Sequence, residues 1–215
     1  MTDAVSTHFD PNCRRCPRLA TYLDRSRHEN PDYFGKPVPA FGDAAPWLLI
    51  VGLAPGLHGA NRTGRPFTGD YAGVLLYATL HQLGLSSQPA SESADDALRL
   101  HGVRISNAVK CAPPANKPST DEIRTCNAFL RNELAALTSV TVVLALGRIA
   151  HEATLRALDL APRDFVFGHA AEHRLDPRRQ LIDSYHCSRY NTQTRRLTPA
   201  MFESMMRRAV ELGKT

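Results

Sequence analysis

The most regular feature of the chain is a set of short apolar runs, separated by segments in which apolar residues recur with helical spacing. A strand covered on both faces of a parallel sheet has a continuous apolar run, whereas a half-exposed strand alternates apolar and polar residues. The runs predict four strands, at residues 47–54, 103–109, 140–146 and 180–185. Four strands are enough for a small central sheet.

Helices are predicted between and after these runs. Apolar residues at 74, 75, 78, 80 and 83 lie roughly on one stripe that stops at Gly84. Ser119 with Glu122 three residues later forms a capping box, further helices are predicted after Gly147, and Thr198 is predicted to cap a last helix. Strands alternating with helices imply right-handed crossovers, so we expect a three-layer α/β/α sandwich around a four-stranded, mainly parallel sheet.

In such a fold the ligand binds at the carboxyl ends of the strands. These ends are residues 52–55, 107–110, 147 and 186–191, and we expect them to converge. Residues 86–96 are rich in serine and acidic residues and are expected to be a solvated loop without function. No internal repeat or long linker interrupts the chain, so residues 1–215 are treated as one domain.

Composition and charge narrow the class of protein. Hydrophobic residues make up 43% and charged residues 22% of the 215 residues, which excludes a disordered or fibrous chain. A net charge of +5 and a pI near 9.1 are compatible with a polyanionic partner. The first ten residues are polar and no run is long enough to span a membrane, so we expect a cytoplasmic protein.

Four of the five cysteines have a spacing that points to a metal. Cys13 and Cys16 form a C-x-x-C pair, and fourteen residues separate Cys111 from Cys126 on the helix that Ser119 caps. The spacing alone leaves open whether all four bind a metal or the second pair is simply buried, and it does not choose between zinc and a [4Fe–4S] cluster. Cys187 follows His186 directly, and because neighbouring residues on a strand point to opposite faces, we expect it to pack behind the site.

Glycine-rich segments follow the first predicted strand. Residues 52–56 turn off the strand, and residues 59–70 contain three further glycines, a density that permits close backbone approach to a ligand. Such a segment by itself is most often only a turn. It becomes distinctive together with residues 186–191 at the far end of the chain.

These segments together resemble a known family. The sequences GLAP at 52–55, HGANRTGRPFTGD at 58–70, SNAVKCAPP at 106–114 and SYHCSRYNTQTRRLT at 184–198 are similar to family 5, the type b enzymes, of the uracil-DNA glycosylase superfamily. The resemblance extends from Cys13 to about Thr198. It implies a monofunctional DNA-repair glycosylase that hydrolyses the N-glycosidic bond of uracil and other deaminated bases and leaves an abasic site. It also implies a structural [4Fe–4S] cluster on Cys13, Cys16, Cys111 and Cys126 that holds the N-terminal segment.

The resemblance implies roles for residues in the matching segments. Asp70 would stabilise the positive charge that develops on the sugar and orient water, since Ala54 stands where many relatives have a polar or acidic residue. His186 would donate to the base's O2 atom. An aspartate's ordinary pKa of about 3.9 leaves it charged at neutral pH, and Asp70 could also cap the following helix. The base-binding residues would be Gly52, Phe67, Asn107 and Ala54.

The target bond is inaccessible inside a duplex, so an enzyme of this class must flip the nucleotide out. Arg189, Tyr190 and Asn191 are the expected DNA contacts, and phosphates could meet Arg62, Arg65, Lys110, Arg195 and Arg196. The expected partner is DNA that contains uracil or other deaminated bases, bound by a monomer. Two alternatives stay open: a family 4-like enzyme restricted to uracil, and a non-catalytic iron–sulfur module that binds DNA or senses redox state.

Overall fold

A computed structural model describes residues 9–214, and within them the chain forms a six-stranded sheet. The strands are β1 (Phe41–Gly42), β2 (Leu48–Gly52), β3 (Val103–Asn107), β4 (Val142–Leu146), β5 (Glu172–Arg174) and β6 (Gln180–Ser184). Their order is β1-β3-β2-β4-β6-β5. The four central strands are parallel, and the short edge strands β1 and β5 are antiparallel to their neighbours.

The four predicted strands are the four central strands of the sheet, but the expected strand count is wrong. The additional strands are only two and three residues long. Each lies at an edge and is not fully covered, so its sequence has neither the continuous apolar run of a buried strand nor a length over which alternation can be recognised. The polar start expected at residues 1–10 falls almost entirely outside the described residues.

The predicted helices are present, and the structure has three further helices that were not predicted, one at the start and two of four and five residues. The helices are α1 (Pro17–Glu29), α2 (Ala60–Thr63), α3 (Tyr71–Gln82), α4 (Thr120–Ala136), α5 (Arg148–Ala157), α6 (Arg189–Gln193) and α7 (Pro199–Leu212). The capping box of Ser119 and Glu122 starts α4, and Thr198 caps α7. The sequence analysis did not identify α1, which begins at a proline directly after Cys16. None of the helices in the described part of the chain combines the length and the apolar composition that crossing a bilayer requires.

Side chains of the central strands point alternately to two helical layers. Leu48 and Ile50 of β2 pack in one apolar cluster with residues of α3 and α7, and Leu49 and Val51 pack in another with residues of α4 and α5. A third, smaller cluster joins α1 to α4 and contains the paired cysteines. This arrangement is the expected α/β/α sandwich, and it brings the loops after β2, β3, β4 and β6 to one end of the sheet.

Candidate functional site

The ends of β2 and β3 form the floor of the site. Gly52 is the register partner of Asn107, and a Cβ atom on Gly52 would lie 2.4 Å from Asn107 Oδ1 and 2.6 Å from Cζ of Phe67. Only glycine therefore fits between these side chains. Asn107 is 3% exposed, and its Oδ1 atom has no hydrogen-bond partner among the described residues. A buried acceptor left unpaired costs free energy, and it is expected where a ligand supplies the missing donor.

Phe67 covers this floor from the glycine-rich loop. Its backbone has a φ of 55°, in the left-handed region that a bulky residue rarely adopts. Helix α3 stabilises this conformation, because Tyr77 Oη donates to the carbonyl of Pro66 at 2.9 Å and Gly73 packs directly against the carbonyl of Phe67. The Phe67 ring stacks on the His186 ring, with centroids 5.9 Å apart and planes inclined by 27°. Loops distant in the chain thus meet.

Asp70 is both a helix cap and a free acceptor. Its Oδ1 atom accepts a hydrogen bond from the backbone N–H of Gly73 at 2.9 Å and so caps α3. Its Oδ2 atom lies on the side of Gly56 and Gly59. Burial raises the pKa of Asp70 above its usual value, and the N–H groups of Gly73 and Ala72 act in the opposite direction. The carboxylate is therefore perturbed by its surroundings, contrary to the expectation of an ordinary pKa.

His186 follows β6 and is held by its own loop. Asn191 donates its Nδ2–H to the His186 carbonyl at 2.8 Å. Burial lowers the pKa of His186 from 6.5 to about 4, so the ring is neutral at neutral pH. The next residue, Cys187, is fully buried, and both burial and the charge of Asp70 raise its pKa to about 12. Cys187 lies in an apolar cluster with Phe67 and Ile182, and so it packs behind the site as expected.

Residues 86–96 support the glycine-rich loop, so the expectation of a merely solvated loop is wrong. Ser91 Oγ lies 2.7 Å from Thr68 Oγ1, and the Ser91 carbonyl accepts from the N–H of Gly69 at 3.3 Å. Asp96 forms an ion pair with Arg65. These contacts hold both sides of Phe67. No periodic pattern in the sequence marks them, since they depend on which loops are neighbours in space.

The basic residues proposed as phosphate contacts divide into two groups. Arg65 is 6% exposed and pairs with Asp96, and Lys110 is 3% exposed with its Nζ atom bound to Ser106 and Glu133. Both are interior residues, and a phosphate role for them is wrong. The exposed members are Arg62, Arg195 and Arg196.

The expected DNA contacts also differ in exposure. Arg189 stacks over the Tyr71 ring at 5.1 Å, and Tyr190 is 72% exposed. Asn191 is only partly exposed and holds the His186 loop. Ala54 lies beyond Gly52 and packs against the cysteine-containing cluster rather than among the contacts of Phe67.

The four paired cysteines come together although they are far apart in the chain. They line one pocket between α1 and α4, with Leu19 and Phe129 among its walls. Burial has the larger effect and the charge of the neighbouring Cys126 the next largest, and together they raise the pKa of Cys16 to about 11 and the pKa of Cys111 to about 12. The N–H of Lys110 donates to Cys126 Sγ at 3.2 Å. The thiolate forms of these cysteines would repel one another, and a positively charged metal group that binds them would remove that repulsion.

The spacing of the sulfur atoms bears on which metal group fits. Four thiolates around one zinc ion lie about 3.8 Å apart, given a Zn–S distance of about 2.3 Å. In the described part of the chain, no three of these sulfurs lie within 4.8 Å of one another. The four cysteines therefore share one pocket without three sulfurs at the spacing of a single-ion site.

Gly73 and Tyr77 are residues of the site that the sequence analysis missed. An isolated glycine inside a helical pattern signals a close packing contact, and that signal was present at Gly73. Tyr77 was not among the apolar positions predicted for α3, and although it is fully buried, nothing in the local sequence distinguishes it from an ordinary core residue.

Comparison with known proteins places the chain among DNA-repair enzymes. A family model described as the uracil DNA glycosylase superfamily matches residues 39–209. The chain is 48% identical to the type-5 uracil-DNA glycosylase of Thermus thermophilus over 206 residues, which cover 94% of each chain. It is 43% identical to the type-5 enzyme of Pyrobaculum aerophilum, in an alignment that covers 92% of this chain and 88% of the relative. Similarity to the type-4 enzyme of the same organism is lower, at 32% over 68% of this chain.

Proposed function

The chain belongs to the uracil-DNA glycosylase superfamily, and from that premise we propose that it hydrolyses the N-glycosidic bond of uracil and other deaminated bases in DNA. The product is an abasic site. The observation that carries the proposal is that Phe67 stacks on His186 and also lies, at Gly52, beside the unpaired acceptor of Asn107 at the end of the sheet. Asp70 lies three residues beyond Phe67 in the same loop.

The reaction separates charge, and the two ends of the site match the two charges. As the C1′–N1 bond breaks, positive charge develops on the sugar and negative charge on the base. Asp70 offers its Oδ2 atom toward the first, while Oδ1 remains held by the N–H of Gly73. A carboxylate with reduced hydration gains more from a positive charge forming beside it than a fully solvated one does. The same oxygen can orient the attacking water.

His186 acts on the leaving base as a neutral donor. With its pKa lowered to about 4, the ring carries one N–H and one lone pair at neutral pH. A hydrogen bond from that N–H to the base's O2 atom stabilises the negative charge that develops there. Because the Phe67 ring stacks on the imidazole and Asn191 holds the His186 carbonyl, little reorganisation is needed.

Asn107 explains how one pocket takes several deaminated bases. Deamination replaces an amino group by a carbonyl and places an N–H beside it, and uracil, hypoxanthine and xanthine share this pair. The unpaired Asn107 Oδ1 atom would accept from the N–H while Nδ2 donates to the carbonyl. Cytosine and adenine present the reverse pattern at the same edge, so they would leave the buried acceptor unsatisfied. Phe67 would stack on the flipped base beside Gly52.

Arg189 and Tyr190 are the proposed contacts to the strand from which the nucleotide is flipped. Both are exposed at the start of α6, three and four residues after His186. Tyr190 is a large apolar side chain in solvent and is suited to brace the gap, whereas Arg189 is suited to a phosphate. Asn191 would contribute to catalysis indirectly, by holding the loop of His186. Ala54 would contribute to base binding through its small side chain, which leaves space after β2.

The proposal includes a [4Fe–4S] cluster held by Cys13, Cys16, Cys111 and Cys126. The convergence of the four cysteines on one pocket and the N–H donor at Cys126 support it. The cluster would connect the start of α1 to the loop after β3. Asn107 is the last residue of that strand. The contribution of the cluster is therefore structural, and it supplies no group to the reaction.

Water is the proposed nucleophile, which makes the enzyme monofunctional. A glycosylase that also cleaves the strand needs an amine at the sugar. Lys110, the lysine next along the chain from Asn107, has its Nζ atom engaged by Ser106 and Glu133. The proposed enzyme acts in the cytoplasm as a monomer, and its site needs no residue of a second copy, because Asp70, Asn107 and His186 come from one chain.

The test uses end-labelled duplexes that each carry one uracil, hypoxanthine, xanthine or cytosine, with abasic sites revealed by alkali. We expect cleavage of the first three and not of the cytosine duplex. Asp70→Asn keeps the helix cap and should slow release by orders of magnitude with DNA binding largely retained. Asp121→Asn removes an exposed carboxylate in the first turn of α4 and is the matched control.

The outcomes also separate the alternatives. Release of uracil alone would support a type-4-like enzyme, which the lower identity to that group does not favour. Duplex binding with no abasic product would support a non-catalytic iron–sulfur module. Normal turnover by folded Asp70→Asn would remove Asp70 from the mechanism.

A further inference from the structure

A second group of polar side chains lies in the interior, apart from the residues that the proposed reaction uses. His151 comes from α5, His173 from β5 and Asp183 from β6. One nitrogen or oxygen of each lies within 4.8 Å of the others, and no other set of histidine, cysteine and acidic side chains among residues 9–214 is that compact. His151 and Asp183 are almost completely buried, and the side chain of His173 is 15% exposed.

The hydrogen bonds of His151 leave a place for a cation. Its Nδ1 atom lies 2.9 Å from Asp183 Oδ1, and its Nε2 atom lies 3.2 Å from the carbonyl oxygen of Phe165. A neutral imidazole has one N–H, so it can donate to only one of these oxygens. If that N–H faces Phe165, the Nδ1 lone pair faces a carboxylate, and two such groups repel unless a cation lies between them.

Two further atoms of the group have no hydrogen-bond partner. They are His173 Nε2 and Asp183 Oδ2, which lie 3.4 Å apart. A buried carboxylate oxygen without a partner is costly, and so is a buried imidazole nitrogen. One ligand atom of each of the three side chains lies within 4.8 Å of the others. The group thus brings together electron-pair donors, two of which the protein itself leaves without a hydrogen bond.

We propose that His151, His173 and Asp183 bind one divalent transition-metal ion of the zinc type. Two imidazoles and a carboxylate are ligands that such ions prefer, and neighbouring donors around zinc lie about 3.3 Å apart for metal–ligand distances of about 2.0–2.1 Å. The 3.4 Å separation of His173 Nε2 and Asp183 Oδ2 meets that requirement. The bond from His151 Nε2–H to the Phe165 carbonyl would orient the ring, as ligating histidines usually are.

The ion has a route in and a structural role once bound. His173 is partly exposed on the edge strand β5, so the site can be reached from that side. The ion would connect α5, β5 and β6, three elements that meet beside the active site. Asp183 lies three residues before His186, and a Cβ atom on Gly147, the N-cap of α5, would lie 3.6 Å from the Cβ of His186. The metal would therefore stabilise the end of β6.

The experiment measures Co²⁺ binding to the intact protein with its cysteine site filled. Wild type is compared with His173→Ala, which removes the most exposed ligand, and with His81→Ala, which removes an exposed histidine of α3. We expect wild type and His81→Ala to bind one Co²⁺ that zinc displaces, with weak visible bands of nitrogen and oxygen ligation. His173→Ala should lose that equivalent. At about 100 times the dissociation constant, Co²⁺ should raise the unfolding midpoint of wild type by about 5–10 °C.

Two results would overturn the proposal. One is equal Co²⁺ binding by wild type and His173→Ala. The other is a spectrum whose only signal is the intense near-ultraviolet band of thiolate ligation, which would assign the ion to the cysteines. In either case a proton on the His151 ring, and not a metal ion, lies between the ring and the neighbouring oxygen atoms of Asp183 and Phe165. Base release by wild type does not enter the comparison, so the metal site and the proposed activity fail independently.

Discussion

Gly73 offers a test in which helix propensity and tertiary packing predict opposite signs. In an exposed helix, Gly→Ala is stabilising by about 0.5–1 kcal/mol, because alanine restricts the unfolded chain and favours the helix. Gly73, however, lies in the first turn of α3, and a Cβ atom there would be 1.8 Å from the carbonyl oxygen of Phe67. That oxygen belongs to a backbone held by Tyr77 and cannot simply rotate away.

The expected result for Gly73→Ala is a net loss. Overpacking costs about 1–3 kcal/mol, and a rigid backbone partner puts this site at the upper end. After subtracting the propensity gain, we expect a loss of about 2 kcal/mol, which lowers the unfolding midpoint by about 4–8 °C in a chain of this size. Displacing Phe67 should also slow uracil release by roughly 10–100-fold, since it disturbs the stack on His186.

Thermal unfolding and single-turnover base release check both parts. Ala78→Gly is the matched control, because Ala78 is exposed on the same helix and reports propensity alone. It should lower the midpoint by about 2–4 °C and leave base release unchanged. A Gly73→Ala protein as stable as wild type, or more stable, would refute the reasoning, because the carbonyl of Phe67 would then not be held where the structure has it.

Four other predictions follow from the site and the surface. Asn107→Ala removes two hydrogen bonds to the base of about 1 kcal/mol each and should slow uracil release by about 30-fold, and an unchanged rate would exclude the residue from base recognition. Cys126→Ala should lose the brown colour and the iron of the protein and lower its unfolding midpoint, whereas a colourless wild type loaded with zinc would contradict the cluster. The folded-state pKa of His186 lies at about 4, below the 6.5 of the unfolded chain, so the unfolded state binds more protons between these values and stability should fall as pH drops from 6.5 to 4. This histidine accounts for at most about 3 kcal/mol of that loss of stability. The free energy of unfolding of His186→Gln, measured with urea, should therefore depend less steeply on pH than that of wild type. An equal pH dependence in the two proteins would argue against the burial of His186. Affinity for undamaged duplex should decrease with salt, and Arg196→Ala should reduce the slope of log K against log salt by about one, while a flat response in wild type would argue against phosphate contacts.

The local part of the fold could be predicted from the sequence. Continuous apolar runs identified the four central strands, because a strand covered on both faces has no polar position to interrupt it. Ser119 and Thr198 identified the starts of α4 and α7, because a cap satisfies backbone groups within a few residues of itself. The edge strands β1 and β5 are too short for any such pattern.

Charge in the sequence proved a poor guide to exposure. Arg65 and Lys110 occur in basic, loop-forming segments and were assigned to phosphates, yet both lie in the interior. Lys110 pairs with Glu133 from the middle of α4, and Arg65 pairs with Asp96 from a loop that looked solvated. Each partner is more than twenty residues away, so the pairing depends on tertiary packing and leaves no local signal.

From the sequence by itself the candidate residues for the chemistry could be named, and Asn107 and His186 could be placed at the ends of strands, because these properties depend on residue type and on short-range spacing. The tertiary structure alone decided the state of those residues: the neutral imidazole of His186, the raised pKa of Asp70, the unpaired oxygen of Asn107 and the contact between Phe67 and Gly73. The physical reason is that desolvation and steric fit arise from atoms brought close by folding. Residues far apart in the chain supply those atoms.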